Sequence, residues 1–304
     1  MKLTYANPDK DNWFLVAWTL SNKCNYRCSY CPSYLNDGST GQPEWSTVEN
    51  FVKNFKIDNK QICYRISGGE PTYWKHFLDL AKLVKTQGHV FTFLTNGSQS
   101  VKYYKEIGKY SDGIMISYHD EYASVDHIAE IANSVDCPVV VNLMMVQDKF
   151  DHMVNIGKSL YEKTSKLAIW PKVILDKTSA EYVTNNVSDY TSEQKDIIKN
   201  WPYFRPIDDS AIHRGNLLLD GVLVTGNDII IKNLNQHQGW SCWGGLDMIS
   251  IDMWGDLYRS ECRQGGSFGN LTQYTLPTEP ITCNANKCSC LSDIYLKKES
   301  KVTT

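Results

Sequence analysis

Cys24-Asn25-Tyr26-Arg27-Cys28-Ser29-Tyr30-Cys31 is the stretch of this 304-residue chain whose reading decides the rest. Its spacing is C-x3-C-x2-C. Three thiolates on one short loop can hold three corners of a four-iron, four-sulfur cubane. A cluster that only carries electrons normally has four cysteine ligands, so three leave one iron open to a small molecule. Structural zinc wants four ligands, commonly as two C-x2-C pairs, and no second pair lies nearby. A zinc knuckle and simple buried thiols are the competing readings of the loop taken alone.

Working outward, residues 14–20, 62–67, 90–94, 114–117, 139–146 and 167–170 are apolar runs of strand length. Between them lie stretches with helical spacing, such as 76–85 and 125–135. Strand–helix alternation argues for a parallel sheet with right-handed crossovers. In such sheets and barrels, sites gather at the carboxyl ends of strands. The cysteine loop, Ser67-Gly68-Gly69-Glu70-Pro71-Thr72, Thr95-Asn96-Gly97 and Ser117-Tyr118-His119 all fall at such ends. The paired glycines expose backbone to a ligand and permit positive φ. The Glu70 carboxylate suits an ammonium group. The competing reading of that segment is an ordinary strand-to-helix turn with Pro71 at the first helical position.

The cysteine spacing, with Tyr30 just before the last cysteine and the Gly-Gly-Glu-Pro segment after the next strand, resembles the signature of the radical S-adenosylmethionine (radical SAM) enzymes. The resemblance covers roughly the first 175 residues. It implies a partial (β/α)6 TIM-like barrel in an α/β fold. It further implies that Cys24, Cys28 and Cys31 ligate a [4Fe–4S] cluster and that S-adenosylmethionine takes the open iron. Gly68, Gly69 and Glu70 would then hold the methionyl end of the cofactor, and the backbone at Tyr30 would border the adenine. Asn96 and Ser117 match weaker family positions near the ribose and carboxylate, where plain loop chemistry is the alternative. His119 is a weak catalytic candidate. The implied chemistry is reductive cleavage of S-adenosylmethionine to a 5′-deoxyadenosyl radical that abstracts hydrogen from a substrate carbon. An electron donor such as flavodoxin or ferredoxin is the implied partner.

Five of the ten cysteines lie in the carboxyl-terminal region, at Cys242, Cys262, Cys283, Cys288 and Cys290. A helix is expected to open on the capping-box pattern Thr191-Ser192-Glu193-Gln194. Residues 216–224 and 228–232 flank Thr225-Gly226-Asn227 and read as one hairpin, and Met253-Trp254-Gly255-Asp256 marks a second. The cysteines around that second hairpin resemble the SPASM/twitch extensions of radical SAM enzymes, which carry auxiliary [4Fe–4S] clusters. Seven cysteines would serve a full two-cluster SPASM domain, so the one-cluster twitch form is the better match. Four of the five would ligate, leaving open which of Cys283, Cys288 and Cys290 is spare. Structural zinc on the same thiolates is the alternative. The expected organisation is a core over 1–175, a bridging segment over 176–235, and an α+β auxiliary-cluster domain over 236–304.

A net charge of −3 gives no basic footprint for nucleic acid or an anionic membrane, and no apolar run reaches the length of a membrane span. The start carries no basic-then-apolar signal, so the cysteines read as ligands or redox groups in a reducing, cytoplasmic compartment. Cys63 and Cys137 read as structural thiols away from the strand ends. That weakens a radical epimerase, which needs a nearby thiol, and favours two-electron oxidation assisted by the auxiliary cluster. With the first strand expected near Trp13, no leader-capturing domain is evident ahead of the core, an expectation that tilts the substrate toward a small molecule such as a sugar, nucleotide or amino-acid derivative. Modification of a ribosomal peptide, by epimerisation or crosslinking, is the rival, and a non-catalytic zinc or iron–sulfur protein the third reading. Trp240 and Trp243 flank Cys242 as cavity lining or packing. His213 and Arg214 could meet an anionic substrate or solvent.

Overall fold

Six apolar runs with both faces covered make a parallel sheet. A computed structural model describes residues 1–7, 12–174, 190–205, 216–224, 229, 232–288 and 291–300 of the chain. The strands are β2 (Trp13–Thr19), β3 (Gln61–Ser67), β4 (Val90–Thr95), β5 (Gly113–Tyr118), β6 (Val139–Met145) and β7 (Leu167–Val173), each hydrogen-bonded in parallel to the next. Helices α1 (Trp45–Asn54), α2 (Phe77–Thr86), α3 (Val101–Ile107), α4 (Val125–Ser134) and α5 (Phe150–Lys163) make the crossovers, and α6 (Ser192–Lys199) follows β7. This is the partial (β/α)6 arrangement expected from the alternation. The α6 start carries the expected capping box between Thr191 and Gln194.

Period-2 alternation divides the strand residues between two faces. Phe14, Val16, Trp18, Ile62, Tyr64, Ile66, Phe91 and Phe93 point outward and form one large core with the helices. The inner face is lined low down by Leu15, Ala17, Cys63 and Val90, which pack on Met248 and Leu296 from the carboxyl-terminal region. Cys63 is thus a buried packing thiol, and Cys137 packs against the outer core before β6.

Two expectations change here. The first strand is β1 (Lys2–Tyr5), ahead of Trp13; its partners are distant in sequence, so local pattern does not announce it. The hairpin over 216–224 turns at Asp220-Gly221, between β8 (Leu217–Leu219) and β9 (Val222–Val224). Both turn residues have positive φ, 48° and 83°, the geometry that suits Asp-Gly between right-twisted strands. Thr225-Gly226-Asn227, like His213 and Arg214, lies outside the described residues.

The chain order also interleaves the sheets. β10 (Ser241–Cys242), β14 (Ile281–Thr282) and β15 (Lys298–Glu299) join β1, β8 and β9 in a second sheet of order β14-β10-β15-β1-β8-β9. β11 (Met248–Ile251), β12 (Asp256–Tyr258) and β13 (Ser267–Asn270) instead extend the barrel sheet, with β11 parallel to β2. The hairpin expected around Gly255 is β11–β12. No helix among the described residues is long and apolar enough to cross a membrane.

Candidate functional site

β2 ends at Thr19 and releases the chain into the cysteine loop, whose root is held by two sets of contacts. Asn22 is buried and ties the loop's outgoing and returning limbs together. Its Nδ2 donates to the Tyr34 carbonyl (2.9 Å), Asp37 Oδ1 (2.6 Å) and Ser39 Oγ (2.9 Å), while its Oδ1 accepts from Thr40. The sequence reading passed over Asn22, because a lone Asn before a cysteine carries no distinctive signal.

The second set joins the loop to the glycine segment. Gly69 N–H donates to the Ser21 carbonyl at 2.9 Å and Glu70 N–H to the Lys23 carbonyl at 2.8 Å. The reason for the paired glycines is this close approach. A Cβ on Gly68 would meet Ser21 O at 2.4 Å, and one on Gly69 would meet Lys23 O at 2.5 Å. Gly68 also holds φ +142°, which side chains rarely adopt. The glycines therefore seat the root of the cysteine loop against the end of β3.

Glu70 differs from expectation in its side chain. It is 1% exposed, and its carboxylate accepts from Thr72 N–H, Thr72 Oγ, Thr95 Oγ and Asn96 N–H. Burial pushes its carboxyl upward while those donors pull against it. Four donors suit an acceptor-only carboxylate, so the side chain braces the ends of β3 and β4. An ammonium group would have to meet the backbone of this segment. Asn96, held by that brace, aims Nδ2 at Asn25 Oδ1 (2.8 Å) and Cys24 Sγ (3.8 Å).

The tip of the loop docks on the turn after β5. Tyr30 OH meets His119 Nδ1 at 2.5 Å, Ser29 N–H and Oγ donate to Glu121, and Tyr26 stacks on Tyr122 with centroids 4.4 Å apart. Burial holds His119 down to about 4, so its ring is neutral at pH 7. Burial also raises Cys24, and Cys28 to about 12. A thiol in such surroundings becomes a thiolate when a metal supplies the opposing charge. Ser117 sits on the inner face, in register with Asn142 of β6. The structure thus gathers Cys24, Cys28, Cys31, Tyr30, Gly68, Gly69, Glu70, Asn96 and His119 at one end of the sheet, with Ser117 nearby on its inner wall.

In the carboxyl-terminal region, Cys242 lies on β10 and Cys262 follows β12. Burial raises Cys242, Cys262 and Cys288, with smaller contributions from Cys283 on Cys242, from Cys242 on Cys262, and from Cys242 and Cys262 on Cys288. Cys242 is therefore within electrostatic reach of Cys262, Cys283 and Cys288, while Cys290 lies outside the described residues. Asp293 accepts from Glu261 and Cys262 N–H, and the buried Lys298 ammonium donates to the carbonyls of Asp293, Ile294 and Leu296. Lys298 draws Cys242 and Cys288 downward against burial. His237, which the sequence reading did not single out, is 1% exposed with no hydrogen bond to either ring nitrogen among the described residues. Trp240 packs on the His237 ring, with centroids 4.9 Å apart. Among the described residues no three His, Cys, Asp or Glu side chains close on one point as ligands of a single metal ion would.

Residues 18–151 match the Radical SAM superfamily. An S-adenosylmethionine-dependent nucleotide dehydratase of Selenomonas ruminantium is 30% identical over 82 residues, 26% of this chain and 28% of that protein. One from Thermoplasmatales archaeon (strain ISO4-H5) is 30% identical over 77 residues, 25% and 26% of the two chains. This chain therefore spans little more than a quarter of the curated relatives it matches. Among solved structures, native anSMEcpe with bound AdoMet superposes with a TM-score of 0.55 at 14% identity, over 86% of this chain and 79% of that one. Streptococcus suis SuiB bound to precursor peptide SuiA gives 0.51 at 14%, over 93% and 64%. At such identities the likeness is one of fold.

Proposed function

We propose, from the match of residues 18–151 to the Radical SAM superfamily, that Cys24, Cys28 and Cys31 hold a SAM-binding [4Fe–4S] cluster and that the enzyme oxidises a small molecule at a C–H bond. The observation that carries this reading is the lacing of the three-cysteine loop to Gly69 and Glu70 by backbone hydrogen bonds. Three thiols outside any disulfide, on one loop with a buried root, fit a cluster with one open iron. When bound, cluster and S-adenosylmethionine supply a radical that removes hydrogen from carbon, and the protein supplies orientation and shelter from water.

The chain's own groups divide as follows. The backbone of residues 68–70 would hold the methionyl end of the cofactor, Asn96 steadies Cys24, and His119 fixes the Tyr30 ring, whose backbone would border the adenine. Cys242, Cys262, Cys283 and Cys288 form the ligand set of a second, auxiliary cluster, with Cys290 the fifth candidate. Small-molecule chemistry draws support from the nucleotide dehydratases, 30% identical to this chain over 82 and 77 residues.

Anaerobic reconstitution with iron and sulfide tests the reading. About eight irons per chain are expected from two four-iron clusters, with 5′-deoxyadenosine released from S-adenosylmethionine under reductant. Replacing Cys24, Cys28 and Cys31 together with alanine should abolish that release and leave about four irons. A zinc-loaded, iron-free protein with no 5′-deoxyadenosine sinks it.

A further inference from the structure

His237 is a buried polar side chain that the radical chemistry leaves without a role. It is 1% exposed, and neither ring nitrogen has a hydrogen-bond partner among the described residues. An imidazole enclosed in that state destabilises the fold, so folding alone gives no reason for it. Backbone hydrogen bonds put it among the carboxyl-terminal cysteines. Cys288 N–H donates to the Asn235 carbonyl at 2.8 Å, and Asn235 Nδ2 donates to the Cys288 carbonyl at 2.9 Å. On the other side, Gly239 N–H donates to the Cys283 carbonyl at 2.7 Å, and Cys283 N–H to the Trp240 carbonyl at 2.8 Å. Trp240 N–H closes the turn on the His237 carbonyl at 3.0 Å, and β10 with Cys242 follows at once. His237 thus stands two residues from the partner of Cys288 and two from a partner of Cys283. That is about 8 Å of chain at most in either direction.

The surroundings narrow what the ring does. Trp240 lies against it, with centroids 4.9 Å apart. Lys298 is the register partner of Cys242 and is itself 1% exposed, so a positive charge is enclosed in the same region. Burial first, and Lys298 second, hold His237 down to about 3. The ring is therefore neutral at pH 7, with one N–H to donate. Two of the sulfurs already meet polar side chains: Ser260 Oγ lies 3.0 Å from Cys262 Sγ, and Gln264 Nε2 donates to Cys283 Sγ at 3.6 Å. Cys242, Cys262, Cys283 and Cys288 fill the four ligand positions of the proposed cluster. A further nitrogen beside them is left to donate to sulfur rather than to bind iron.

We infer that His237 donates its ring N–H to a sulfur of the auxiliary cluster and so raises that cluster's reduction potential. The reduced cluster carries one more negative charge than the oxidised one, so a donor at its sulfur favours the reduced form. His237 is a positioning residue in this account, since it meets the cluster's sulfur and not the substrate. The inference rests on the auxiliary cluster proposed above, and its test reads the cluster itself rather than turnover.

The experiment is a dithionite titration of the reconstituted holoenzyme, followed by electron paramagnetic resonance. The protein with Cys24, Cys28 and Cys31 all replaced by alanine identifies the signal of the second cluster. His237→Phe keeps an aromatic ring and removes the N–H. At a fixed potential its ratio of reduced to oxidised second cluster should fall roughly tenfold, a midpoint about 59 mV lower for one electron. His237→Gln, whose amide supplies an N–H, should recover part of that shift. Both variants should keep the iron of the native enzyme, about eight per chain. Without iron, His237→Phe should melt no lower than the native chain, because it removes a buried polar group that has no partner. An unchanged midpoint in His237→Phe at full iron overturns the inference and leaves the auxiliary cluster standing. Loss of the second cluster's iron from both variants also overturns it, and makes His237 an iron ligand. Lower melting of both iron-free variants assigns the ring a structural role and overturns it as well. A native chain that takes up no second cluster defeats the auxiliary-cluster reading, and the inference with it.

Discussion

Tyr30 and His119 meet at 2.5 Å between hydroxyl and Nδ1, with their rings stacked 5.9 Å apart. They come from the cysteine loop and the end of β5, so this bond fixes the loop tip against the barrel. Burial raises Tyr30 and lowers His119, so a protonated phenol donates to a neutral imidazole. Tyr30→Phe keeps the ring and removes the donor. The loss is about 1 kcal/mol, felt locally. The iron of the SAM-binding cluster should leave faster under a chelator in Tyr30→Phe than in the native enzyme, with global stability changed little. Equal chelation rates would show that the stacking alone holds the loop.

Gly69 tests the opposite kind of constraint. A methyl group there sits 2.5 Å from the Lys23 carbonyl oxygen, a backbone atom with nowhere to go. Gly69→Ala should cost on the order of 3 kcal/mol or more and push the cysteine loop off β3. The check is iron retained after reconstitution. A variant that keeps both its stability and full iron would mean the segment is looser than its hydrogen bonds imply.

How much of this was readable from the sequence depends on the range of the interaction. The six parallel strands were legible because each is a continuous apolar run. The cysteine loop and Gly68-Gly69-Glu70 were legible as a spacing. What the glycines are for was not legible, since the atoms that exclude a Cβ belong to Ser21 and Lys23, some 45 residues earlier. β1 escaped notice because four residues pair with partners more than 200 positions away. Asn142, inside the apolar run 139–146, is placed between Ser117 and Trp170 by strand register, which the run itself does not reveal.

Glu70 is a brace whose removal is measurable. Glu70→Gln places an amide NH2 where four donors already point, so at least one donor loses its acceptor. The cost is about 2 kcal/mol, a midpoint lowered by about 4–8 °C. Differential scanning fluorimetry of the apoprotein gives the number without any cofactor. An unchanged midpoint together with a large loss of S-adenosylmethionine affinity would return the carboxylate to the ligand.

Lys172 gives a pH dependence with a definite sign. Burial first, and Arg65 second, hold it down to about 8, against roughly 10.4 in an unfolded chain. Between those values the unfolded chain binds the extra proton, so stability rises with pH across that window. Below about pH 8 the folded state carries the full cost of the enclosed cation. Lys172→Met should therefore be more stable than the native protein at pH 7, with the gap closing toward pH 10.5. Chemical denaturation across pH 6.5–10.5 would show the trend, and a Lys172→Met variant no more stable than the native protein at pH 7 would remove the enclosed cation from the account.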